Sequence, residues 1–195
     1  MLNNNDENRP LQKTQLTKRK MVLREIFSWI RMIIFSFAIA FFLSFFVIAN
    51  ATIGSGSMEN TIMTGDRVMC NRLAYTFSDP ERFDIILFEY PYGEEPINYV
   101  KRIIGLPGET VEIIDGRVYI NGAIKPLNEK FVREVPLGNF GPFEIPEGQY
   151  FVLGDNRNSS FDSKSWSIPY ISRDTFIGKA LFVYYPKVSM LDNAE

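Results

Sequence analysis

Thr110-Val111-Glu112-Ile113-Ile114-Asp115-Gly116-Arg117-Val118-Tyr119-Ile120 is the stretch that decides the fold of this 195-residue chain. Two short β-like runs, Thr110–Ile114 and Arg117–Ile120, flank Asp115-Gly116, and Asp-Gly between such runs signals a two-residue turn joining antiparallel strands. Outward from the hairpin, short runs separated by Gly, Pro and Asp recur on both sides. Arg67–Tyr75, Ile85–Tyr90 and Tyr99–Ile104 precede it; Gln149–Leu153 and Ile177–Tyr185 follow. With little helical period and no internal repeat, these residues predict a mainly β, antiparallel domain.

Toward the N-terminus the pattern changes. No charged residue occurs from Met32 to Met58, and Met32–Ala49 reads MIIFSFAIAFFLSFFVIA, 18 predominantly apolar residues. That is near the lower end of the ~17–25 residues a bilayer-spanning helix needs. A buried core helix is the plainer alternative, but a Phe-rich run that is apolar all round has no polar face to turn to water. A cleaved signal peptide is the other, because Ala49-Asn50-Ala51 has the A-x-A form of a cleavage site. Against it, the basic leader is about thirty residues long and the apolar run exceeds the ~7–15 of a signal-peptide core. Arg24 and Arg31 flank the start of the run, so the positive-inside rule puts the N-terminus in the cytoplasm. The expected organisation is a basic cytoplasmic tail over 1–28, a transmembrane anchor over 29–50 and an extracytoplasmic domain over 51–195. Residues 1–20 are expected to be disordered or to skim the membrane surface.

Charge and composition limit the chemistry. Residues 1–31 carry seven basic and three acidic side chains, which leaves 14 basic and 20 acidic, a net of −6, for the rest. A basic tail on an acidic body suits a lipid surface and not nucleic acid. The chain has no histidine, which excludes a Ser-His-Asp triad, a Cys-His pair and the common His-ligated zinc sites. One cysteine, Cys70, excludes an intramolecular disulfide. A hydrolase built from this chain must take its base from Lys, Asp or Glu.

Three segments carry candidate chemistry. In Gly54-Ser55-Gly56-Ser57-Met58, small residues allow close backbone approach and expose a hydroxyl, although GSGS alone reads as a flexible linker. In Tyr99-Val100-Lys101-Arg102-Ile103-Ile104-Gly105-Leu106-Pro107-Gly108, a strand places Tyr99, Lys101 and Ile103 on one face. Burial there lowers a lysine toward neutrality; a lysine that snorkels to water is the plainer reading. Gly154-Asp155-Asn156-Arg157-Asn158-Ser159-Ser160-Phe161-Asp162-Ser163-Lys164 is dense in hydrogen-bonding groups, and alone reads as turn chemistry.

Taken in order, these segments resemble type I signal peptidase, the bacterial membrane enzyme that removes signal peptides, in its compact single-anchor form. The likeness runs from Trp29 to Pro186 and includes Arg82-Phe83-Asp84-Ile85-Ile86-Leu87-Phe88 and Ile177-Gly178-Lys179-Ala180. It implies a serine endopeptidase with a β catalytic domain behind one helix, cutting preproteins after A-x-A-like sites without metal or cofactor. Its partners would be preprotein signal peptides emerging from the export machinery, and membrane lipid. By position, Ser57 corresponds to the nucleophile and Lys101 to the general base. The Ser57 N–H and the Ser55 hydroxyl correspond to oxyanion donors, and Ser160 to the residue that orients the lysine. Ile53, Ile62, Tyr99 and Val100 match the substrate pocket. Asp155, Arg157 and Asp162, with Arg102 as partner, match structural supports. A soluble self-cleaving Ser-Lys repressor-type protease and a membrane-tethered binding protein or inactive homologue are the competing readings.

Several positions depart from the family pattern. Asn60 and Gly54 stand where prolines are usual, which predicts a looser nucleophile segment. Phe83 replaces a glycine, Asn158 a frequent aspartate and Lys164 an arginine.

Overall fold

The computed structural model describes residues 9–92 and 95–191. They fall into two units, divided between Phe45 and Phe46. The first is one long helix, α1 (Arg9–Phe42), followed by a π-helical turn over Leu43–Val47. Lys20–Val47 is long and apolar enough to cross a membrane. At ~1.5 Å per residue it reaches roughly 40 Å, more than the ~30 Å of a hydrocarbon core. Two expectations change here. Residues 9–20, expected to be disordered or to skim the membrane, are helical and continuous with the apolar stretch; residues 1–8 lie outside the described residues. The apolar helix also ends before residue 50, because Ile48–Thr52 is the first strand of the other unit.

That unit is a β domain. Strands β1 (Ile48–Thr52), β2 (Arg67–Asn71), β3 (Ile85–Tyr90), β4 (Ile97–Gly105), β8 (Gln149–Leu153), β9 (Ile171–Ser172) and β10 (Phe176–Tyr185) form the larger sheet. Its order is β1-β2-β10-β3-β4-β8-β9, with the two-residue β11 (Ser189–Met190) on β10. The hairpin that opened the sequence reading is β5 (Thr110–Ile114) and β6 (Arg117–Ile120), and β7 (Phe140–Glu144) completes a three-stranded sheet in the order β6-β5-β7. Every pairing is antiparallel. Six predicted strands match within a residue or two at each end. The predicted Arg67–Tyr75 strand stops at Asn71, where the Asn71 side chain accepts from the Leu73 N–H and turns the chain.

The period-2 alternation of a strand distributes β3 between two cores. Ile85 and Leu87 enter a cluster with Ala49, Ile53, Met58, Ile62 and Val68. Ile86 and Phe88 enter another with Ile103, Val152 and Trp166. A strand buried on both faces is therefore apolar at every position from 85 to 88. Ala49 is 3% exposed inside the first cluster, and Ala49↔Cys70 and Ala51↔Val68 are paired register positions of β1 and β2. The A-x-A triplet is thus an integral edge strand. Cutting after Ala51 would remove most of that strand.

Candidate active site

β1 leads directly into the first serine segment. Its edge strand ends at Thr52, Ile53 is fixed by its N–H to the Asp66 carbonyl, and the chain then tightens into a 3-10 turn over Gly56–Met58. Ser57 sits in that turn and is 8% exposed. Its Oγ lies 3.3 Å from the Oγ of Ser55. The turn is held from outside by Asn156, whose N–H donates to the Ser57 carbonyl (3.1 Å) and whose Nδ2 donates to the Gly56 carbonyl (2.9 Å).

Lys101 occupies the middle of β4 and is 2% exposed. Its Nζ donates to Ser160 Oγ at 3.1 Å and lies 5.7 Å from the centre of the Tyr99 ring. Burial is the largest influence on this amine and lowers it from the ordinary 10.5 to about 8. Asp162 and Asp155 pull it upward, and Lys164 pushes it down.

Gly154 joins these two halves. A Cβ at this position would lie 2.3 Å from Ser160 Oγ and 2.3 Å from the Ser57 carbonyl oxygen. The Ser57 turn, the end of β8 and the Ser160 loop therefore meet with no room for a methyl group. Among the described residues Ser57 and Lys101 make no direct hydrogen bond; Ser160, bonded to the lysine, reaches the Ser57 backbone across Gly154.

The supporting residues divide unequally. Arg102 donates from Nε and Nη2 to the two Asp155 oxygens (2.9 and 2.6 Å) and from Nη1 to the Phe83 carbonyl (2.9 Å). Asp155 also accepts from the Thr61 hydroxyl, four residues after Ser57. Arg157 and Asp162 do not pair with Arg102. Arg157 is turned to Glu129, while Asp162 accepts from the Gly154 N–H and from Lys164 (both 3.0 Å). Asp155 already takes the Nε–Nη2 edge of Arg102 and the Phe83 carbonyl takes Nη1, while Arg157, itself a cation with donors only, takes the carboxylate of Glu129.

A cleft of about 210 Å³ opens beside Ser57, lined by Asn50–Ser55, Ser57, Met58, Leu87 and Asn98–Val100. Ile53, Tyr99 and Val100 are among its lining residues. Ile62 is not: the Ile62 N–H bonds back to the Met58 carbonyl and turns the side chain into the first core, where it is fully buried. Leu87 reaches the cleft because it is the register partner of Val100. Neither Asn156 nor Gly154 was given a role from sequence, although both lie inside the quoted GDNR block.

Two departures from the family pattern receive a structural reading. Asn60 has φ 88°, a left-handed conformation that proline cannot adopt. The segment is thus turned differently and bonded through Thr61 and Ile62 to the Met58 carbonyl, and not simply loosened. Phe83 has φ 74°, a costly conformation for a bulky residue. It is held by its N–H to the Ile103 carbonyl, by Arg102 on its own carbonyl, and by edge-on contact with Phe131 (5.4 Å).

Comparison with known proteins shows the family of the chain. Residues 26–185 match the family described as signal peptidase, peptidase S26. The chain is 39% identical over 157 residues to a probable signal peptidase I-2 of Synechocystis, covering 77% of this chain and 70% of that one. It is 33% identical over 190 residues to signal peptidase I T of Bacillus subtilis, covering 93% and 94%. The crystal structure of a signal peptidase I from Enterococcus faecalis superposes with a TM-score of 0.45 at 36% identity, covering 52% of this chain and 97% of that one.

Proposed function

The chain belongs to the signal peptidase family, peptidase S26, as a serine endopeptidase that removes signal peptides, and from that premise we propose that Ser57 and Lys101 form its catalytic dyad. The observation that carries this reading is a buried lysine, hydrogen-bonded to Ser160 and lowered to about 8, packed through Gly154 against the turn that presents a serine to the cleft.

Neutral Lys101 Nζ takes the proton of Ser57 Oγ as that oxygen attacks the scissile carbonyl carbon. The Ser57 N–H and the Ser55 hydroxyl donate to the oxygen that becomes negative; Ser55 Oγ already lies 3.3 Å from Ser57 Oγ. The tetrahedral intermediate collapses with the C–N bond breaking, and the Lys101 ammonium returns the proton to the leaving amine. Lys101 then takes a proton from water, whose oxygen attacks the acyl ester; the ester C–O bond to Ser57 breaks and the Lys101 ammonium returns the proton to Ser57 Oγ. Ser160 keeps the amine aimed throughout, in the role that a triad gives its third member. Ile53, Tyr99, Val100 and Leu87 give the cleft shallow apolar walls, which suit Ala-x-Ala-like residues upstream of the cut.

The apolar helix supports a single-pass anchor, with Arg24 and Arg31 holding the N-terminus in the cytoplasm and the β domain outside. Signal peptides emerging from the export machinery would meet the cleft there, beside the lipid surface. Protease added to intact protoplasts should then degrade the β domain and spare an N-terminal tag; the opposite pattern reverses the orientation. For the chemistry, full-length protein in detergent micelles should cleave a purified preprotein after its A-x-A-like site, and Ser57→Ala should not. Equal cleavage by both removes Ser57 from the mechanism.

A further inference from the structure

Arg157 is the last arginine before Ser160, and its guanidinium is 4% exposed. Nε donates to the Gly154 carbonyl at 3.1 Å. Nη1 and Nη2 donate to the two oxygens of Glu129 at 2.9 and 2.6 Å, and the Glu129 side chain is itself 9% exposed. Glu129 comes from the connection between β6 and β7, outside every motif that marks the active site. Two residues on, Phe131 is buried between both supporting arginines. Its ring centre is 4.0 Å from the Arg102 Cζ and 5.8 Å from the Arg157 Cζ. Arg102 directly follows the candidate base, and Arg157 precedes its orienting serine by three residues. One short segment of a distant loop thus grips both sides of the site.

We infer that Glu129, acting through Arg157 and Gly154, is a positioning residue for the Ser57–Lys101–Ser160 constellation, with Phe131 as the spacer that sets Arg102 and Arg157 apart. The inference rests on the dyad reading above. A bidentate carboxylate fixes both the place and the plane of a guanidinium. With Glu129 in place, the third edge of Arg157 is aimed at the Gly154 carbonyl. Gly154 in turn has Ser57 and Ser160 so close that it cannot shift without moving one of them. Neutralising Glu129 leaves a buried cation that must seek water or another acid, and Arg157 then releases Gly154. The Lys101–Ser160 contact opens and water reaches the amine. The charged groups acting on Lys101 are Asp162, Asp155 and Lys164, with the Tyr99 ring on its other side. None of them is changed by the substitution, so loss of burial dominates and the amine becomes harder to deprotonate.

The test compares parent, Glu129→Gln and Phe131→Leu as full chains in detergent micelles, with preprotein cleavage measured from pH 6 to 10 and the folded fraction measured by Trp166 fluorescence. Glu129→Gln should lower kcat by about 10- to 100-fold with KM within about threefold, and move the acid limb about one pH unit higher. Phe131→Leu keeps the core apolar and both ion pairs; it should give a smaller loss with the limb moved in the same direction. A residual rate that tracks the folded fraction with an unmoved limb, in either variant, assigns Glu129 and Phe131 to stability alone and overturns the inference. So does a parental kcat in Glu129→Gln. If the parent shows no Ser57-dependent cleavage at all, the dyad reading fails, which is a separable result.

Discussion

Replacing Lys101 by Met should make the fold more stable while abolishing activity. The amine is 2% exposed, and burial lowers it from 10.5 to about 8. At pH 7 that gap costs the folded state about 3 kcal/mol, at ~1.4 kcal/mol per pH unit. Methionine has a similar length and no charge, so the cost disappears. The hydrogen bond to Ser160 is lost as well, at about 1 kcal/mol, leaving a net gain of about 2 kcal/mol. The pH dependence carries the diagnosis. A lysine lowered in the folded state is fully penalised below pH 8, progressively less between 8 and 10.5, and not at all above. The advantage of the variant should therefore be flat up to about pH 8, vanish before pH 10.5 and then reverse by about 1 kcal/mol, the lost Ser160 bond being all that remains. Urea titrations of Ser57→Ala and Ser57→Ala/Lys101→Met full chains, in micelles, would measure it. Trp166 fluorescence is the readout, with Trp29 replaced by Phe; the Ser57→Ala background prevents self-digestion. A Met variant less stable than its parent at pH 7, or a difference unchanged from pH 7 to 10.5, would refute the claim that Lys101 is held in a desolvating site.

Gly154→Ala should reduce cleavage at least a hundredfold, because its Cβ would overlap both Ser160 Oγ and the Ser57 carbonyl; a near-parental rate in a preprotein assay contradicts the close meeting of the three segments. Asn60→Pro should destabilise by about 3 kcal/mol or more, since proline cannot reach φ 88°, whereas Asn60→Gly should stay within about 1 kcal/mol of the parent. Urea midpoints distinguish them, and a harmless Asn60→Pro would mean that this turn readily adopts the usual proline geometry. Preproteins with Phe or Leu at −1 should be cut at least a hundredfold more slowly than those with Ala, because a shallow cleft rejects bulk by overlap; equal rates would remove Ile53, Tyr99 and Val100 from the pocket.

Legibility in the sequence followed locality. β5 and β6 were readable because their register is set by the two residues between them. The apolar Ile85–Phe88 was readable as a strand from its short bounded run. β1 was hidden because Ile48–Thr52 continues an apolar stretch, and its strand character comes only from pairing with β2. β7 carries Gly141-Pro142, which reads as a break, and β9 and β11 are two residues each. At the site, Ser57, Lys101 and Ser160 were legible because the resemblance carries them in fixed blocks. Glu129 was not, since it sits 28 residues before Arg157 in a loop with no motif. The destination of Ile62 was likewise decided by a backbone bond to Met58, which no residue pattern specifies.

The most direct test of the dyad is the pH dependence of kcat/KM for Ser57-dependent preprotein cleavage by the full chain, because that ratio reports the titration of the free enzyme. With no histidine in the chain and Lys101 at about 8, the rate should rise tenfold per pH unit below the midpoint and level off above about pH 8. A rate independent of pH from 6 to 8 would contradict a neutral lysine as the base.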